Sequence, residues 1–170
     1  MAQEIVIPIQ IEEPHPTQKE LLSNVKRFNH LRCGRRWGKT SLIKHLCLPC
    51  IERSWKIGIW YPTEKDFSGE DGIWAQLKRL FGDAVVNKNE VYHQMELVGG
   101  GIIEFWSMTE PESGQGRRYN RAIIDEAAKA KKLKQAWENT IRPTLTDFQG
   151  DAYIMSRPRG KANDFFQIDK

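Results

Sequence analysis

The 170-residue sequence holds only three cysteines, Cys33, Cys47 and Cys50. That number is too small and too odd for a disulfide framework, and it points to a reducing compartment. Cys47-Leu-Pro-Cys50 is a lone C-x-x-C with no second pair at zinc-site spacing, so two buried thiols at a helix end are expected rather than metal or redox chemistry. No apolar run reaches membrane-spanning length, and the start MAQEIVIPIQ lacks the charged-then-apolar order of a signal peptide. A soluble, intracellular chain is therefore expected. Internal repeats and low-complexity segments are missing as well. Charge of one sign does not dominate: 26 Lys and Arg against 22 Asp and Glu leave a formal +4, compatible with an anionic partner but too mild to identify one.

What the sequence has is enough apolar material, 39% of residues including six tryptophans, for the core of one domain. Residues 1–13 alternate apolar and polar positions up to Pro14-His15-Pro16, which predicts an extended arm or edge strand. A helix is expected from Thr17 to Val25, with Thr17 as N-cap and Glu20 completing a capping box. Beyond it, strand-like and helix-like stretches alternate. Strands are expected at 28–33, 56–61, 121–125 and 151–156, and helices at 39–53, 71–81 and 132–141. A β-hairpin is expected from Val91–Val98 and Ile102–Trp106 around Gly99-Gly100-Gly101, because glycines supply the positive φ of a tight return. The strands are apolar throughout rather than alternating, as in a mostly parallel sheet covered on both faces, so the class is α/β. Trp60, Trp74, Trp106 and Trp137 lie in apolar stretches and are expected in the core.

Three stretches carry chemistry. Cys33-Gly34-Arg35-Arg36-Trp37-Gly38-Lys39-Thr40 lies between a strand and a helix and ends as a phosphate-binding loop does, although G-x-x-x-x-G-K-[ST] would place glycine at position 33. Gly34 directly follows, so the turn can be made one residue later. Backbone N–H groups at a helix N-terminus would face a triphosphate, Lys39 would neutralise its β/γ-phosphates, and the Thr40 hydroxyl would bind Mg²⁺. Arg121-Ala-Ile-Ile-Asp125-Glu126 is an apolar strand ending in two carboxylates at the sheet edge where α/β ligands bind, Asp125 suited to the metal shell and Glu126 to orienting water. Ser156-Arg157-Pro158-Arg159-Gly160 follows another buried strand, where a hydroxyl can report the γ-phosphate. Each also has a plainer reading: a helix start with a surface lysine, acids capping the next helix, and a basic turn.

Together these stretches resemble the ATPase domain of the large terminase subunit of tailed bacteriophages, a P-loop NTPase of the additional-strand, catalytic-glutamate type that packages double-stranded DNA into a procapsid. Gly34-Arg-Arg-Trp-Gly-Lys-Thr40 fits the family's GRRxGKT variant, in which a small residue precedes the loop. Gly116-Arg117-Arg118-Tyr119, IIDEAA, Gln149-Gly150 and SRPRG followed by Phe165-Phe166 follow the family's order of landmarks, from about Pro16 to Phe166. The resemblance implies ATP as substrate, Mg²⁺ at Thr40 and Asp125, phosphate contacts from Gly34, Gly38 and Lys39, Glu126 as catalytic carboxylate, and Ser156 in the coupling motif. Gln18 is placed like the glutamine that reads adenine in related motors, and it could equally be a surface residue. Trp37 either anchors the loop or sits near the base. One of Arg35 and Arg36 faces the nucleotide and the other solvent or DNA. Many members carry an arginine where this chain has Gln115, so the arginine finger offered to a neighbouring subunit falls among Arg117, Arg118 and Arg121.

The implied partners are double-stranded DNA, further copies in a ring expected to be pentameric, the portal protein and the small terminase subunit. The implied place is the host cytoplasm at the procapsid portal, with no membrane. The expected organisation is an arm over 1–15 and one ATPase domain over 16–170. The family's C-terminal nuclease has no counterpart in this sequence, so no cleavage activity is expected. A helicase-like ATPase and a non-catalytic nucleic-acid-binding module are the rival readings.

Overall fold

The computed structural model describes residues 6–168. The expected arm falls partly outside these residues; its described part, 6–15, forms no strand but runs extended, with Ile7 and Ile9 packed on the core and the Glu12 carbonyl 2.8 Å from His45 Nε2.

Seven strands form one sheet: β1 (Phe28–Arg32), β2 (Lys56–Tyr61), β3 (Val85–Asn89), β4 (Gln94–Leu97), β5 (Ile102–Ser107), β6 (Arg121–Ile124) and β7 (Asp151–Ser156). Their order is β1-β7-β6-β2-β5-β4-β3, with the first five parallel and the last two antiparallel extensions of β5. The parallel strands are apolar on both sides because both sides are covered. On one face Ile57, Ile59, Ile123 and Met155 meet α2 (Lys39–Cys47) and α5 (Ile73–Phe81); on the other Trp60, Ala122, Ile124 and Ile154 meet α6 (Leu133–Ala136) and the turns after it. Each fully buried aliphatic side chain stabilises the fold by roughly 1.5–3 kcal/mol relative to exposure. The expected α/β architecture is therefore present. All three thiols are buried, and Trp60, Trp74 and Trp137 are core residues, with Trp106 partly buried.

Several elements differ from expectation, each for a local reason. α1 (Pro16–Ser23) is capped by His15, not Thr17: Pro16 takes the first helical position, where its missing N–H costs nothing, and His15 Nδ1 accepts the Gln18 N–H. The helix stops at Ser23, and Val25 is exposed. The single helix expected over 39–53 is split into α2 and α3 (Pro49–Glu52), because Pro49 has no N–H to give to the carbonyl of His45. α6 likewise widens into a π turn over Trp137–Ile141 before α7 (Arg142–Thr144), just ahead of Pro143. The hairpin exists as β4 and β5, but β5 belongs to the parallel sheet through β2, and residues 91–93 form a turn instead of strand. β3 was not foreseen: only its first residue is even partly buried, so it carries no alternation to read. The remaining short helices are α4 (Lys65–Ser68) and α8 (Asp164–Gln167).

At the amino edge of the sheet Arg121 is buried and forked onto Asp151 (Nε 2.7 Å, second nitrogen 2.8 Å), while its third nitrogen reaches the Leu46 carbonyl at 2.8 Å. It ties β6 and β7 to the end of α2, and its place in the core removes it from the finger candidates. Removing one partner of such a pair strands the other charge. Arg121→Met is expected to cost about 3–5 kcal/mol in urea unfolding, with part of that loss recovered in Arg121→Met/Asp151→Leu.

Candidate functional site

The loop between β1 and α2 begins by extending the sheet, the Cys33 N–H reaching the Ser156 carbonyl at 2.9 Å. A turn then closes from the Trp37 N–H to the Gly34 carbonyl at 3.4 Å. Its left-handed residues are Arg36 (φ 59°) and Gly38 (φ 90°), not Gly34, where a Cβ would meet nothing within 4 Å. The turn thus starts one residue late, as Cys33 requires, but the bend falls on an arginine. A left-handed non-glycine costs of order 1–2 kcal/mol and is held only by its surroundings. Cys33 itself is buried, and burial pushes its thiol up to about 11, so it is a packing residue and not a nucleophile.

β7 lies between the loop strand β1 and the acid strand β6, so the loop and the acids are two strand spacings, about 10 Å, apart. Lys39 spans that interval. Its Nζ is 2.7 Å from Glu126 Oε1 and 3.2 Å from Asp125 Oδ1, with all three side chains at least four-fifths buried. Asp125 continues β6 by one step, its N–H on the Trp60 carbonyl at 3.0 Å, and its Oδ1 accepts the Glu126 N–H at 2.7 Å. That contact holds Glu126 at φ 51°, the second left-handed non-glycine residue at the site after Arg36.

The charges respond to one another. Burial alone would push Glu126 up, but the hydrogen bond and charge of Lys39, with help from Lys129 and Arg157, hold it below its ordinary range. Burial alone would lower Lys39, and the two carboxylates outweigh it and raise it. For Asp125, the most enclosed of the three, burial prevails over Lys39 and the carboxyl is raised.

Three further side chains complete the arrangement. Tyr61 ends β2 beside Asp125, and its hydroxyl is pushed well above its ordinary range first by burial and then by that carboxylate. Ser156 Oγ accepts the Ala128 N–H at 3.0 Å, joining the end of β7 to the segment after Glu126. Lys129 Nζ stands 3.5 Å from Glu126 Oε2 and 4.0 Å from Asp66. Thr40, Tyr61, Asp66, Asp71, Asp125 and Glu126 line an open cleft of about 210 Å³.

The remaining predicted residues are less concentrated. Arg35, Arg36 and Gly34 are exposed on the loop. Trp37 is partly buried with its ring edge-on to His15 (5.2 Å, 89°), which favours its role as a loop anchor. Gln18 is buried, and its Nε2 donates to the carbonyls of Gly38 (2.9 Å) and Trp37 (3.3 Å), so it is not a surface residue. Arg117 and Arg118 are not brought to the site. They are exposed near the amino edge of the sheet, Arg117 3.7 Å from Glu104 and Arg118 2.9 Å from Asp147, beside a larger groove of about 530 Å³. That groove is not lined by the lysine or the two acids, whereas both acids line the smaller cleft.

Sequence reasoning missed Tyr61, Lys129 and His15. Tyr61 was legible as a polar tip on a buried strand; Lys129 and His15 carried no pattern. For Mg²⁺ the donor set is suitable, since Thr40 and Asp125 offer the hard oxygens that ion prefers. Among the described residues no group of three or more His, Cys, Asp or Glu side chains forms a metal cage. A magnesium ion here would take its other oxygens from phosphate and water, its usual habit.

No family model matches the chain. A curated relative, the large subunit of the terminase of Escherichia phage T5, is 29% identical over 138 residues, covering 79% of this chain; the chain spans only 31% of that relative's length. Among solved structures, the Thermus phage P74-26 large terminase ATPase domain superposes with a TM-score of 0.74 at 21% identity, over 91% of this chain and 68% of the other. The large terminase of bacteriophage HK97 superposes with a TM-score of 0.67 at 16% identity, over 94% of this chain and 36% of the other. In sequence and in fold, the chain resembles the ATPase domain of bacteriophage large terminases.

Proposed function

We propose that this chain is an ATP-hydrolysing motor domain that drives double-stranded viral DNA into a procapsid. The observation that carries the reading is the meeting of Lys39 with Asp125 and Glu126 at the carboxyl rim of a parallel sheet, behind a glycine-bearing loop and a helix N-terminus. The resemblance to large terminases supplies the biological setting.

In this reading Lys39 leaves the two acids when a triphosphate enters and follows the β/γ-phosphates instead, exchanging carboxylate oxygens for phosphate oxygens. Thr40 and Asp125 would hold Mg²⁺, which supplies positive charge to the phosphate oxygens. Glu126, released from Lys39, accepts a hydrogen bond from water and aims it at the γ-phosphate. Tyr61 keeps Asp125 facing the cleft. Catalysis is positioning and charge neutralisation, as phosphoryl transfer requires. Ser156, bonded to Ala128, transmits a shift of the segment after Glu126 to β7 and the 157–160 turn. Arg117 and Arg118 face away from their own site and are suited to a neighbouring subunit of a ring; portal protein and small terminase subunit are partners by the same resemblance.

Two experiments test this. Lys39→Ala is expected to abolish ATP binding, and Glu126→Gln to keep binding while phosphate release in single turnover drops by roughly 10²–10⁴-fold. Parental hydrolysis in Glu126→Gln overturns the site assignment, ATP-driven strand displacement favours a helicase, and absence of nucleotide binding in the parent leaves a binding module. For the shared finger, Lys39→Ala mixed with Arg117→Ala/Arg118→Ala at high concentration on double-stranded DNA is expected to hydrolyse ATP well above either protein alone. A strictly additive mixture excludes those arginines from acting between subunits.

A further inference from the structure

The carbonyls of Trp37 and Gly38, two successive peptide units at the heart of the loop, both point toward α1. His15 Nε2 lies 2.8 Å from the Trp37 carbonyl, and Gln18 Nε2 lies 2.9 Å from that of Gly38 and 3.3 Å from that of Trp37. A carbonyl can only accept, so Nε2 of His15 donates; its Nδ1 meanwhile accepts the Gln18 N–H at 3.4 Å, which defines the tautomer. Pro16 restricts His15 to extended backbone (φ −67°, ψ 164°), the conformation from which its ring caps α1. The fit is close: a Cβ on Gly38 would stand 2.9 Å from Gln18 Nε2.

In a planar trans peptide the N–H points opposite to the C=O. Drawing the Trp37 carbonyl toward α1 therefore turns the Gly38 N–H away from it, while the Gly38 carbonyl, which also accepts the Leu42 N–H of α2 at 3.0 Å, gains a second donor in Gln18 that helps hold the Lys39 N–H pointing the opposite way. These two N–H groups belong to the start of α2, where N–H groups have no intrahelical partner and favour an anion. We infer that His15 and Gln18 are positioning residues that aim the Gly38 and Lys39 N–H groups at the polyphosphate of the nucleotide, and that Gln18 does not read the base. This rests on the proposed nucleotide site. Recognition of adenine by a carboxamide needs one of its N–H groups and its oxygen together. Gln18 Nε2 is already engaged by two loop carbonyls, and the residue is 1% exposed, which leaves no room for a base edge beside it.

The test separates phosphate from base. Binding of Mg²⁺-tripolyphosphate, ATP and GTP is measured calorimetrically for the parent, Gln18→Ala, Gln18→Met and His15→Ala, with melting curves to confirm folding. Each variant is expected to bind all three ligands more weakly by a common factor of about tenfold, the value of one well-placed hydrogen bond, with the ATP-to-GTP ratio unchanged. Gln18→Met fills the same space without donating, so a packing role would be rescued by it and the positioning role is not. Unchanged tripolyphosphate binding with a collapsed ATP-to-GTP ratio assigns Gln18 to the base and overturns the inference, as does full rescue by Gln18→Met. His15→Ala, at a half-buried residue, keeps the question answerable if the Gln18 variants fail to fold. A parent that binds none of the three ligands sinks the nucleotide site itself, and this inference with it.

Discussion

Two neighbouring carboxylates on one strand end are tolerable in a mostly enclosed rim only if a cation is held between them, and here the cation is the ammonium of Lys39. Much of the local structure follows from that requirement. β1 and β6 must deliver their ends to the same rim, which a parallel sheet with β7 between them achieves. The backbone must bend sharply enough to send Asp125 and Glu126 to the same partner, which explains a left-handed Glu126 whose N–H is captured by the preceding side chain. The conformational strain on Glu126 is compensated by its contacts with Asp125 and Lys39, as is usual where local rules are broken near a site.

How much of this could be read from residues alone differs by level. The apolar runs ending in Tyr61, Asp125 and Ser156 revealed the parallel sheet because strands covered on both faces have nothing polar to alternate with. Lys39, Thr40, Asp125 and Glu126 were legible because their chemistry is tied to spacing and to strand ends. β3 was not, since an outer strand with its residues mostly in water has no pattern to show. Proline exposed its own effects imperfectly: Pro16 moved a cap from Thr17 to His15, and Pro49 and Pro143 cut or widened helices that periodicity alone runs straight through. Most hidden were contacts between distant segments, such as those of His15 and Gln18 with the loop, because a tertiary hydrogen bond leaves no periodic trace.

The two edges of the sheet are built differently. At the amino edge, the fork of Arg121 on Asp151 and the Leu46 carbonyl fastens two strands and a helix into one buried unit. At the carboxyl edge, the contacts are single hydrogen bonds and exchangeable ion pairs around an open cleft. Such a division leaves rearrangement to the edge where charge can change hands and denies it to the other.

β7 has a mechanical property that follows from its place alone. It is flanked by β1 and β6, both running in its own direction. Tension applied to the chain beyond Ser156 therefore pulls this strand lengthwise past two neighbours, so its ladder bonds are strained in shear and must give way collectively. A strand at the rim peeled sideways would instead unzip bond by bond. An interior strand next to the sheet's edge strand is thus the sturdy point from which a tethered load could be hauled.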